Sequence, residues 1–167
     1  MDVFYLYLII GGMPEAVDVY LKTNDLAKVA EVHEKIIRLY KTDFSKYEIR
    51  YKLKLQEIYD AMPGQLDQKN KRFQLNCIGK GMSYDRVAND FLWLKDAGVV
   101  IPVYNINEPK LPLVISENRN LFKLFSSDVG LLTSRYSNQV KIAILNKDKA
   151  INNGALFENA AAQELMA

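Results

Sequence analysis

The sequence predicts a mainly α-helical protein with a small β component, an α+β fold. Apolar residues recur every three or four positions through several segments, which is typical of helices with one buried face. Near residue 100 the pattern changes to continuous apolar and β-branched residues, which indicates strands. The 167 residues are 49% hydrophobic and 25% charged, close to the average of a folded globular protein.

The first segment is predicted to be a buried helix end and neither a signal peptide nor a membrane anchor. Its apolar run within Asp2–Ile10 is about eight residues long, against roughly 20 for a membrane span. Gly11 and Gly12 are expected to end this helix, and Pro14 to begin a second one that extends to about Leu21. We therefore expect no membrane partner.

The clearest helix follows the cap signal at residues 23–25. Its apolar face is predicted to consist of Leu26, Val29, Ala30, His33, Ile36, Ile37 and Tyr40. His33 is the single histidine, and its place on this face predicts a structural role. Residues 43–47 are predicted to turn the chain.

The middle of the chain has the element order of a winged helix-turn-helix. One helix over Leu53–Tyr59 should end near residues 62–64, and a basic turn over residues 65–73 follows. A second helix should begin after Ser83 and end at Gly98, with a buried face formed by Tyr84, Val87, Ala88, Phe91 and Leu94. Strands are predicted at residues 99–104 and 113–115.

The last third is less regular. Residues 120–125 read as a strand or a short buried helix, residues 126–132 as a turn, and residues 154–165 as a helix. We accordingly predict three parts: a helical segment over residues 1–50, a winged helix-turn-helix over residues 51–118, and a third region over residues 119–167.

Charge and cysteine content restrict the partners only weakly. The net charge of +2 does not demand a polyanionic partner. The lone Cys77 can form neither an internal disulfide nor a thiolate metal site, which favours a cytoplasmic location, and its apolar neighbours predict that it is buried.

A basic group around the predicted turn is the best candidate for nucleic-acid contact: Lys69, Lys71, Arg72, Lys80 and Arg86. Such side chains would contact phosphates, which gives affinity without sequence readout. The presumed recognition helix carries Asp85, Asp90 and Asp96 against Arg86 and Lys95, which fits the major groove poorly. Duplex DNA and protein docking therefore both remain possible for this region.

A series of short motifs carries a family resemblance. In chain order they are Gly11 to Val17, Tyr40 to Tyr47, Lys71 to Phe73, Trp93 to Val100, Phe122 to Leu124, Asp128 to Leu132 and Gly154 to Asn159. Together they resemble the region that follows the ATPase core in a large prokaryotic family. Its members join an AAA-type ATP-binding domain to a C-terminal domain of unknown function that resembles the restriction-endonuclease fold.

This resemblance implies that the chain is a fragment without a complete active site. The ATPase core would precede Gly11, so that ATP and Mg²⁺ belong to the parent protein, and we expect no cofactor or metal here. The nuclease-like core would follow Leu165, which makes residues 119–167 its truncated α/β start. Glu158 matches an early acidic position of that domain, and one carboxylate cannot both hold a metal ion and orient a water molecule.

Three functions follow as hypotheses. The first is an interaction module that relays the state of the parent's ATPase domain to the nuclease-like domain. The second is a winged helix that binds DNA weakly and without sequence preference. In the third, the parent enzyme hydrolyses ATP and cuts a phosphodiester, while this chain is inert alone. The sequence leaves the oligomeric state open.

Overall fold

The computed structural model describes residues 2–46, 49–70 and 72–167, and it confirms a mainly α fold with a small antiparallel sheet. The described residues form eight α-helices and two strands. In chain order these are α1 (Val3–Ile10), α2 (Pro14–Thr23), α3 (Leu26–Phe44), α4 (Ile49–Asp67), α5 (Tyr84–Asp96), β1 (Val100–Ile106), β2 (Glu117–Ser126), α6 (Val129–Ser134), α7 (Asn138–Leu145) and α8 (Gly154–Met166).

The chain forms two compact units. The first unit comprises Met1–Asp43 and Ser126–Ala167, and the second comprises Phe44–Phe125. The predicted divisions at residues 50 and 118 therefore differ from the observed ones. Helices from both ends of the chain pack together, because α1 contacts α6, α7 and α8. The predicted first and third segments thus contribute to the same unit.

Helix α1 lies at the centre of the first unit, with Leu8, Ile9 and Ile10 buried. It packs against α2 as well as the three C-terminal helices. The expected helix signals are present: Pro14 occupies the first turn of α2, and the Asp25 carboxylate accepts a hydrogen bond from the Ala27 amide at 2.8 Å, at the start of α3. Local sequence thus defines where these helices begin.

The second unit consists of α4, α5 and the β1–β2 hairpin. The predicted buried face of α5 is confirmed for Tyr84, Val87, Phe91 and Leu94, while Ala88 is partly buried. Gly98 adopts the expected left-handed conformation, with φ of 67°. Phe91 lies in an aromatic cluster in which its ring centroid is 5.0 Å from that of Phe122 and 5.6 Å from that of Phe73.

Helix α4 does not end at residues 62–64 as predicted. It continues through Pro63 to Asp67. Met62 and Leu66 are buried together with Leu55 and Ile58 on one side of the helix. The apolar burial of the last turn therefore offsets the helix hydrogen bond that Pro63 cannot make.

The predicted strand at residues 113–115 is wrong. Leu113–Ser116 forms a short 3-10 turn, and the returning strand is β2, which includes residues 120–125. Phe122, Leu124 and Phe125 are buried, whereas residues 113–115 are exposed, so burial selects the later segment as the strand.

Two predicted turns are helical in part, although Ser45 and Lys46 do form a turn. Helix α3 extends to the buried Phe44. The centroid of the Phe44 ring lies 5.6 Å from that of Trp93 and 5.8 Å from that of Tyr59. Tyr47, the last residue of the predicted turn, lies outside the described residues. Helix α6 begins at Val129 within the predicted turn 126–132, because the Asp128 side chain caps it.

In the described parts of the chain, no helix has the length and apolar character needed to cross a bilayer.

Replacement of Phe91 by Ala should lower the free energy of unfolding by about 3–5 kcal/mol, because it leaves a cavity between the rings of Phe73, Tyr84 and Phe122. Urea unfolding followed by circular dichroism measures the loss. Leu92→Ala, at the exposed neighbouring position, is the control and should cost less than about 0.5 kcal/mol. Equal effects of the two changes would contradict the packing of α5.

Candidate functional site

Two of the seven motif segments, Gly11 to Val17 and Asp128 to Leu132, meet in one cluster of the first unit. We call it the Asp128 cluster; it comprises Gly11, Gly12, Asp128, Gly130 and Gln163. The Asp128 residue is 1% exposed. One of its carboxylate oxygens accepts from the Gly12 amide at 2.6 Å, and the other accepts from the Leu131 amide at 2.9 Å. The Gln163 side-chain amide donates a third bond at 3.3 Å.

Glycine is required at two positions of the cluster. A Cβ atom on Gly11 would overlap the Asp128 carboxylate, and Gly11 has φ of 73°, which other residues rarely adopt. A Cβ atom on Gly130 would lie 2.5 Å from the Ile10 carbonyl oxygen. The two glycines therefore permit the close approach of α1 and α6.

Other polar side chains complete the backbone hydrogen bonding around this cluster. The Thr133 hydroxyl donates to the Leu8 carbonyl at 2.7 Å. The Asn159 amide accepts from the Ser126 N–H at 2.8 Å and donates to its carbonyl at 3.1 Å. Gln163 accepts from the Val129 N–H at 2.9 Å. These residues satisfy backbone groups that burial removes from water, which is a structural role.

His33 is buried, and its Nε2–H donates to the Ile10 carbonyl at 2.9 Å. Burial lowers the pKa of His33, and the hydrogen bond to the Ile10 carbonyl opposes this effect in part. The imidazole is therefore neutral at neutral pH. It holds the end of α1 against α3.

The described residues contain no group of three or more His, Cys, Asp or Glu side chains that could hold a metal ion. Glu158 is partly buried on α8, beside the structural Asn159. Glu158 belongs to no such group of three or more side chains among the described residues. The oxygens of Asp128, which the sequence placed in a motif but not among the candidate site residues, already accept backbone hydrogen bonds.

Four of the five basic candidates are described and exposed in the second unit. Lys69 and Arg72 follow α4, while Lys80 and Arg86 lie near the start of α5. Lys71 lies outside the described residues. Arg72 also borders a groove of about 430 Å³ together with the polar side chains of Asn70, Gln74, Asn76 and Asn120.

Asp90 faces inward and not toward a duplex. Its carboxylate lies 3.1 Å from the Lys54 ammonium, and the two side chains are 2% and 24% exposed. The exposed charges of α5 are therefore Asp85 and Asp96 against Arg86 and Lys95, which balance. The sequence carried a signal for this, because Asp90 has helical spacing with the buried Val87 and Leu94.

Cys77 is exposed, so the prediction of a buried thiol is wrong. It ends the short 3-10 turn Leu75–Cys77, which has no buried residue. Adjacent apolar residues predicted burial, but consecutive residues of such a turn point in different directions.

The connection between the two strands exposes apolar side chains. We call residues 107–116 the hairpin tip. Leu111, Val114 and Ile115 are 87%, 65% and 79% exposed, and Leu113 is also exposed. Sequence reasoning missed this surface because it placed residues 113–115 in a strand.

The fold defines a mainly helical protein of two units, and the Asp128 cluster holds the first unit together. Residues 1–140 match a family model described as Domain of unknown function (DUF8612), and the chain belongs to that family. No curated protein and no solved structure matched the chain.

Gly130→Ala should destabilise the protein by about 1–3 kcal/mol, because the added methyl group meets the Ile10 carbonyl oxygen. The matched control is Gly64→Ala in α4, where a Cβ atom meets no neighbouring atom. This control should stabilise the protein by up to about 1 kcal/mol, because alanine favours a helix interior. Thermal and urea unfolding measure both changes, and a neutral Gly130→Ala would refute the close helix contact.

Proposed function

We propose that this chain is a non-catalytic interaction module that relays the state of an AAA-type ATPase domain to a nuclease-like domain of the parent protein. The exposed hairpin tip is the observation that carries this proposal. Exposed apolar groups that lie close together are characteristic of protein contact sites. The resemblance of the motif series supports the ATPase domain as the partner.

The chemistry of the hairpin tip suits a protein better than a polyanion. Its two described charged side chains, Glu108 and Lys110, lie 2.8 Å apart and neutralise each other. The backbone N–H of Asn107 donates a hydrogen bond to the Ser116 carbonyl at 3.0 Å. The Ser116 hydroxyl donates a second one to the Glu108 carbonyl at 2.5 Å. These bonds give the apolar residues a defined shape, which lowers the entropy cost of docking.

The proposed module contributes contacts and leaves chemistry to its partners. ATP and Mg²⁺ would bind the ATPase domain, whose phosphate-binding loop supplies the backbone N–H groups that phosphates need. Asp128 serves the packing of α1, α6 and α8, which favours a structural role for the first unit. We place the module in the cytoplasm, where an exposed thiol such as Cys77 stays reduced.

Photo-crosslinking tests the partner. With p-benzoylphenylalanine at Ile115, irradiation of the native host cells should yield a crosslink to a peptide of a domain that carries a phosphate-binding loop. The same group at the exposed Leu165 of the first unit is the control and should not yield that peptide. Crosslinks from Ile115 to nucleic acid, or equal yields at both positions, would contradict the proposal.

A second candidate function is weak, sequence-independent binding of duplex DNA. The inward position of Asp90 favours it, because the exposed charges of α5 then balance instead of repelling phosphates. Lys69, Arg72 and Lys80 are exposed and available for phosphate contacts.

Salt-dependent gel shifts with a 30-mer duplex test this alternative. Replacement of Lys69, Lys71 and Arg72 by Ala should lower the salt slope by about 0.9 for each lost phosphate contact. Arg86→Ala should change affinity little and sequence preference not at all. The control removes three exposed lysines of the first unit, Lys22, Lys28 and Lys35, and so changes the net charge equally. Equal slopes for the two triple variants would exclude the basic turn as a DNA site.

A further inference from the structure

An apolar cleft of about 420 Å³ lies between α3 and α7 in the first unit. Its apolar wall is formed by Ile9, Leu26, Val29, Ala30, Ile142 and Leu145. Small-molecule sites have volumes of about 300–1,000 Å³ and apolar walls with a few convergent polar groups. The cleft has this size and composition, and neither the packing of the motifs nor the proposed docking explains it.

Lys141 supplies a cationic group to the cleft. The side chain is partly buried, and this burial lowers the pKa of its ammonium group. The charge of Glu34 has the opposite, smaller effect on this pKa. Within the described chain, no carboxylate lies close enough to Lys141 to form an ion pair. The ammonium is therefore partly dehydrated without a contacting counter-ion, a state that an incoming anion would relieve.

His33 supplies a second polar group at the cleft wall. Its Nε2–H is used by the Ile10 carbonyl, so Nδ1 is the unprotonated acceptor nitrogen. Nδ1 has no hydrogen-bond partner among the residues that the structure describes. Glu31 and Glu34 also line the cleft, but they are exposed and screened by water. The partly buried Lys141 ammonium thus favours a ligand with an anionic end.

We propose that this cleft binds a small amphipathic carboxylate, with its apolar body between α3 and α7 and its carboxylate on the Lys141 ammonium. A hydroxyl or N–H group on the ligand body can donate to Nδ1 of His33. The site is independent of the hairpin tip and of the basic turn. It adds small-molecule recognition to a unit in which the Asp128 cluster serves packing.

Three probes with the same aromatic body separate charge from shape: 1-naphthylacetate, the neutral 1-naphthylacetamide and the cationic 1-naphthylethylammonium. Ligand-observed NMR titration of the full chain should show saturable binding of the acetate. Its affinity should exceed that of the amide by about tenfold, because a charge-assisted hydrogen bond to Lys141 distinguishes the two. Tighter binding of the cation than of the acetate would overturn the proposal.

Two variants locate the binding. Lys141→Met should abolish the preference for the acetate while it leaves amide binding unchanged, whereas Lys28→Met, on the exposed side of α3, should alter neither. Ala30→Phe fills the cleft and should weaken both probes at least tenfold, while Ala161→Phe on the exposed face of α8 should not. Circular dichroism confirms folding of each variant. If Ala30→Phe fails to fold, the lysine pair decides: an equal loss in the two lysine variants, or unchanged selectivity in Lys141→Met, refutes the site.

Discussion

The first unit depends on the close approach of α1 and α6. Gly130 brings the start of α6 against the Ile10 carbonyl, and Gly11 leaves room for the Asp128 carboxylate. That carboxylate accepts hydrogen bonds from the loop after α1, from the first turn of α6 and from the Gln163 side chain of α8. A buried carboxylate is costly unless it is fully hydrogen-bonded. The geometry of the three elements is therefore mutually dependent, and a change in one removes partners from the others.

In the second unit, the buried carboxylate of Asp90 has fewer hydrogen-bond partners than Asp128 has in the first. Lys54 contacts one oxygen of Asp90, and the other oxygen, Oδ1, is buried without a hydrogen-bond partner. A buried ion pair of this kind contributes little net stability, yet removal of one partner is costly. It still has a geometric effect, because it fixes the rotation of α5 against α4 and turns Asp90 away from the exposed face. The stability of this unit then rests mainly on the aromatic cluster around Phe91 and Phe122.

Local patterns in the sequence predicted the fold class and most helix positions, because periodic burial and caps such as Pro14 and Asp25 are local signals. They failed where tertiary contacts decide. Helix α4 continues beyond Pro63 because Leu66 in its last turn is buried. The returning strand begins after residue 116 because Phe122 is buried there. The Asp128 cluster joins residues more than one hundred positions apart, and no spacing rule in one sequence pairs such residues. The inward position of Asp90 was readable from helical spacing, but the lysine that pairs with it lies 36 residues away.

The surfaces proposed to bind a partner contain exposed apolar side chains, which sequence patterns do not distinguish from buried ones. Apolar periodicity assigns apolar residues to the core, so an apolar residue that remains exposed is read as buried or as part of a strand. Ile115 and Ile142 are both exposed, and they belong to the hairpin tip and to the cleft beside Lys141. The residues that the motifs select are instead buried glycines and hydrogen-bonded polar groups. The surfaces proposed for recognition therefore lie where apolar side chains remain exposed outside the two cores, as Ile115 and Ile142 do.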